Sequence, residues 1–184
     1  MKARDPGFVN RSSFALGEMP RATGDWRVVL FFCMLPVYLL KGLELSPVAL
    51  LRIVQAVSPD AYDRKTAPDR FTFRESIAHV ADWAQVDMDR LKAGLAEPGC
   101  TVMGIDEGQR AIDLDYASWD PVESAKKVVE RRRELLAIVD GLSEEQLAIA
   151  FNHSERGRVT VVAHLTTILG HEMYHVEHLA QYLG

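Results

Sequence analysis

Apolar positions in this chain recur mainly at spacings of three and four residues, the period of an amphipathic helix, and seldom at the spacing of two that marks a strand. The clearest case is Ile77, Ala81, Ala84, Met88, Leu91 and Leu95. That row is a seam for packing against other helices. Thr72, with Glu75 three residues later, forms a capping-box pattern that starts this helix, and Pro98-Gly99 follow its end. Asp120-Pro121 starts another helix, with Asp120 as N-cap and Pro121 at the first position. Val122, Ala125, Val129, Leu136 and Val139 line one side of it. A last helix over about 159–183 carries Val162, Leu165, Leu169, Val176, Ala180 and Leu183.

Ser46-Pro47 reads as the cap and first residue of a helix bearing Val48, Leu50, Leu51, Ile53 and Val54, preceded by a helical piece over about 26–42. Shorter helical turns are expected near 107–112 and after Ser143. Residues 152–158 read as a polar loop. Residues 158–162 have strand-like composition but no evident partner. Four main helices with a long middle connection predict an all-α four-helix bundle. Residues 1 to about 25 show no period and read as an irregular tail.

Charge and cysteine content narrow the function. The net charge is -5, which argues against a nucleic-acid binder with a basic face. The basic run Arg131-Arg132-Arg133 lies among glutamates and reads as a solvated helix face. Two cysteines, Cys33 and Cys100, have no CxxC partner and cannot build a disulfide framework, so a reduced, cytoplasmic setting is expected. The longest apolar run, 28–40, is interrupted by Pro36. It falls short of the roughly 20 residues a membrane span needs.

The candidate chemistry lies in the histidines. His164, His171, His175 and His178 share one face of the last helix. His171 and His175 have the i, i+4 spacing that stacks two imidazoles on adjacent turns for chelation. A third ligand must come from another helix, and His79 is the best placed by sequence. Three protein ligands leave an open position, the pattern of a catalytic rather than a structural site. His153 and His164 read as packed polar residues. His79 projects about 160° from the seam of its own helix, so that helix has to be buried on two sides.

His171-Glu172-Met173-Tyr174-His175 also matches H-E-x-x-H, in which the glutamate acts as general base of a zinc protease. The further glycine and histidine of the metzincin form are missing. Only nine residues follow His175, too few for a later helix to supply a glutamate ligand. Proteolysis is the weaker reading. Glu172 remains a candidate acid/base only if it reaches the open site, and Asp82 a candidate acceptor behind a ligand.

Two segments together resemble the DinB-like superfamily. One runs from Phe71 through Arg74-Glu75 to His79 and Asp82; the other is His171-x3-His175 followed by Gln181. The resemblance covers about 35–184, leaving 1–34 as an irregular N-terminal extension. It implies a DinB-like four-helix bundle with a divalent metal between the second and last helices, held by His79, His171 and His175. Zinc is the first expectation, with nickel or iron as alternatives. It further implies a homodimer and a small-molecule substrate, in some relatives a low-molecular-weight thiol. The expected activity is that of a metal-dependent thiol transferase, isomerase or hydrolase. The alternative is a non-catalytic metal-binding, stress-associated bundle. The tail after His175 departs from the His-Arg-Gly-Gln common in that family, which leaves the roles of His178 and Gln181 open.

Overall fold

The computed structural model describes residues 26–183. The chain parts into two compact units, Met1–Cys33 and Met34–Gly184. The bundle belongs to the second. The expected irregular tail over 1–25 lies outside the described residues.

Four long helices supply the bundle, the first through its residues from Met34 onward: α1 (Trp26–Ala56), α2 (Phe73–Ala96), α4 (Pro121–Val139) and α6 (Val161–Ala180). Short helices α3 (Glu107–Asp113) and α5 (Glu144–Ala148) sit in the connections. The expected caps are in place. The Thr72 hydroxyl accepts from the Glu75 backbone N–H while the Glu75 side chain reaches back, and Asp120 accepts from the Glu123 N–H. Such caps satisfy amide groups that the first turn leaves without partners.

The structure corrects three expectations. First, α1 is one helix that runs from the expected start near Trp26 through Ser46-Pro47, instead of a second helix starting there. An interior proline costs a helix about 3 kcal/mol or more. Burial on both sides of the proline outweighs that cost, since Leu43, Leu50 and Val54 are fully enclosed. Second, 150–160 is not a loop followed by helix. Strands β2 (Ala150–His153) and β3 (Gly157–Thr160) pair antiparallel, and β1 (Thr101–Val102) joins β2 in parallel. The turn between β2 and β3 closes on a left-handed residue, Gly157 at the start of β3, with φ +73°. Third, Arg132 is not solvated but lies in the interior at 3% exposure.

The apolar core has two main parts. One joins Leu50, Val54, Phe73, Ile77, Val128 and Leu179; the other joins Leu43, Met88, Leu91, Leu135, Leu165 and Ile168. Both draw on α1, α2, α4 and α6. A polar contact in the interior links three of these helices: Glu172 of α6 accepts from Ser46 of α1 and from Arg132 of α4. Phe151 of β2 packs over Gly94 of α2, where any side chain would collide with its ring. This close approach seats the hairpin beside the α2–α6 seam.

Candidate metal centre

Helix α2 is buried on two opposite sides, which removes the difficulty posed by the projection of His79. Ile77, Ala84, Met88 and Leu91 face the apolar core, while His79, Trp83, Asp87 and Arg90 form a second buried row. These four recur at spacings of four, four and three. They face α6, whose own row includes His164, His171 and His175.

The three histidines expected to act together do meet. The Nε2 atoms of His79 and His175 each lie 3.1 Å from Nε2 of His171. All three ligand atoms fall within 4.8 Å of one another. Metal–imidazole bonds of about 2.0–2.1 Å place neighbouring nitrogens on one ion roughly 3 Å apart, so the spacing fits a single centre. Hydrogen bonding alone does not account for it. One ring nitrogen can donate one proton or accept one, so His171 Nε2 cannot serve both neighbours. The Nδ1 atoms of His79 and His175 are buried without partners among the described residues. Three imidazole nitrogens gathered this closely form a donor set that a divalent ion takes.

Burial also holds these rings in the neutral, ligating form. Desolvation is the largest cause in each case and lowers the His79 pKa to about 3 and that of His175 to about 2. The neighbouring His171 adds to both shifts, and His171 is itself lowered by burial. Aromatic neighbours fix the ring orientations: Trp83 stands 4.6 Å and Phe71 5.6 Å from His79, and Tyr174 5.1 Å from His175, between ring centroids.

Other candidates fall elsewhere. Glu172 points away from the histidines into the bundle, where it is 2% exposed and bound to Arg132 at 2.9 Å and to Ser46. It does not reach the centre as an acid/base, because the step of about 100° per residue separates it from His171. Asp82 does not support a ligand; its carboxylate accepts from Arg110 and, at 2.6 Å, from the Tyr116 hydroxyl. His164 Nε2 donates to the Asp87 backbone carbonyl at 2.9 Å, as a packed histidine does. His178 meets Thr66 at 3.0 Å, and Gln181 bonds Glu177.

Sequence reasoning missed a cavity of about 240 Å³ that opens beside His171, with Trp83, Asp87, Arg90, His153 and Arg156 among its lining residues. Of these, Trp83 was legible as sharing the side of His79. His153 and Arg156 were not, because they depend on the hairpin.

The family model of the DinB superfamily matches residues 43–179. The chain belongs to the DinB superfamily. A protein of Oceanobacillus iheyensis, named a "putative metal-dependent hydrolase", is 28% identical over 142 residues, covering 76% of this chain and 80% of that protein. The solved structure of YfiT from Bacillus subtilis is described as a probable metal-dependent hydrolase with an unusual four-helix bundle topology. It matches with a TM-score of 0.73 at 20% identity, over 90% of this chain and 91% of the other. The DinB-like protein YjoA of Bacillus subtilis matches with a TM-score of 0.57 at 20% identity, over 79% and 90%. These two likenesses bear on the fold: a DinB-like four-helix bundle. Among the described residues, no helix is long and apolar enough to cross a membrane.

Proposed function

We propose that this DinB-superfamily protein is a metal-dependent hydrolase of a small molecule, with His79, His171 and His175 holding one divalent ion, zinc foremost. The observation that carries the reading is the gathering of three neutral imidazoles, two buried and one half-buried, with their ligand atoms within 4.8 Å of one another. The names given to the relatives from Oceanobacillus iheyensis and Bacillus subtilis agree with it. A bound ion supplies Lewis acidity. The protein supplies the rest. Helices α2 and α6 pre-organise the rings, so little ordering remains to be done on binding. Trp83 and Phe71 exclude water from the buried side of His79. His171 is the ligand that lines the cavity, so that side is open to a substrate.

The test is metal content by mass spectrometry on protein purified without an affinity tag, followed by a hydrolysis screen of ester, amide and lactone substrates on the loaded protein. About one ion per chain in wild type is expected, with loss in His79→Ala and His175→Ala. Hydrolysis should disappear with the metal and return on its addition. Wild type that takes up no metal after reconstitution overturns the reading. Metal uptake without turnover of any substrate leaves a metal-binding bundle in place of an enzyme.

A further inference from the structure

Asp87 is a buried carboxylate whose ion-pair contacts among the described residues are all long. It is 6% exposed, yet its carboxylate accepts no hydrogen bond among the described residues. The nearest cationic nitrogen, Arg90 Nη1, stands 3.8 Å away, and His164 Nε2 at 4.0 Å is already committed to the Asp87 backbone carbonyl. Arg90 in turn spends Nη2 on the Met103 carbonyl at 2.8 Å. Buried carboxylates are normally paired or well supplied with donors. With only a long contact to Arg90, the Asp87 carboxylate keeps acceptor capacity free for a donor from outside the protein.

The carboxylate lines the cavity beside His171, with Trp83 on the same wall one turn nearer to His79. An aromatic face and a carboxylate on one wall both attract a compact cation, the ring through its quadrupole and the carboxylate through charge-assisted hydrogen bonds. The lining as a whole agrees. It holds three carboxylates, Asp87, Glu107 and Glu155, against two guanidinium groups, Arg90 and Arg156. Leaving aside the ion at the His171 end, the surplus is a single negative charge.

We infer that this cavity is the recognition pocket of the metal centre and that Asp87, with Trp83, selects substrates carrying a primary ammonium group. The inference rests on the metal-centre reading for what lies at the His171 end, but the ammonium subsite is built by α2 alone. An incoming ammonium offsets the burial of that carboxylate charge by pairing with it. In reaction terms, the substrate is an amine-bearing small molecule whose scissile bond is brought to the metal while its ammonium is held two turns along α2 from His79.

The experiment is ligand-observed saturation-transfer NMR with n-butylammonium, compared with the similarly sized butan-1-ol and butyrate. It is run on wild type loaded with zinc, wild type treated with chelator, Asp87→Asn and Trp83→Leu, with zinc content and thermal unfolding recorded for each sample. Saturable binding of the ammonium is expected, with neither the alcohol nor the carboxylate competing. Asp87→Asn should weaken it by about tenfold or more, the size of one lost charge-assisted hydrogen bond, and Trp83→Leu by less. Ammonium binding that is absent, unchanged in folded Asp87→Asn, or matched by butan-1-ol overturns the inference. Should Asp87→Asn not fold, Asp87→Ser takes its place under the same criteria. Ammonium binding by wild type that takes up no zinc on loading retains the pocket and removes the metal reading. One zinc per chain without ammonium binding does the reverse.

Discussion

The Arg132 guanidinium donates to the Glu172 carboxylate across 2.9 Å with both side chains sealed from solvent, at 3% and 2% exposure. Nε and Nη1 of Arg132 have no partner among the described residues. The pair is therefore costly to bury and costly to break, because removing one member strands the other's charge. It ties α4 to α6 one residue from a histidine of the centre, and Ser46 draws α1 into the same contact.

Truncating one member of this pair should destabilise the bundle strongly. Glu172→Ala and Arg132→Ala are each expected to cost about 3–5 kcal/mol, whereas the apolar pair Arg132→Met with Glu172→Leu should recover much of the loss. Denaturant unfolding checks this. Glu172→Gln that unfolds like wild type but hydrolyses nothing would instead make Glu172 part of the chemistry.

The histidines should divide by role. His79→Ala and His175→Ala lose the metal, while His164→Gln and His178→Gln keep it, because His164 is bonded to the Asp87 carbonyl and His178 to Thr66. Metal stoichiometry on the four purified variants decides it. Loss of metal in His178→Gln would enlarge the ligand set.

Acid sensitivity should carry a contribution from His164. Burial, the largest cause, lowers its pKa to about 4 from the ordinary 6.5. Between those values the unfolded chain holds more protons than the folded one, so stability is full above about 6.5 and is lost as pH falls toward 4. The contribution is about 2–3 kcal/mol. Chelator-treated wild type and His164→Gln, compared by denaturant unfolding at pH 7 and pH 4.5, should differ in slope, with the variant flatter. Parallel slopes would mean that His164 is already protonated in the fold.

Asp87 should behave in the opposite sense. Its folded pKa of about 6 lies above the ordinary 3.8. The folded state thus holds the extra proton, and stability falls as pH rises through that window. Asp87→Asn is expected to raise stability at pH 7 by about 1–3 kcal/mol and to change little at pH 4. Such a gain is the mark of a residue kept for function at the expense of the fold. A loss at pH 7 would show that Asp87 serves chiefly as the structural partner of Arg90.

What the sequence determined was local. Thr72 with Glu75, and Asp120 before Pro121, start helices because a cap needs only residues three apart. His171 and His175 share a face because one turn of helix places them there. Even His79 could be nominated from a helix with two buried sides. The tertiary structure decided what depends on distant neighbours. Helix α1 runs through Pro47 because flanking residues are enclosed by the other helices. The strand 157–160 has a partner because Phe151 lies against Gly94, which no spacing within 150–153 reveals. Arg132 and Glu172 look like solvated charges in sequence. They become interior residues only because each supplies the other's counter-charge from a different helix, and burial of a charge is settled by its partner rather than by its own position.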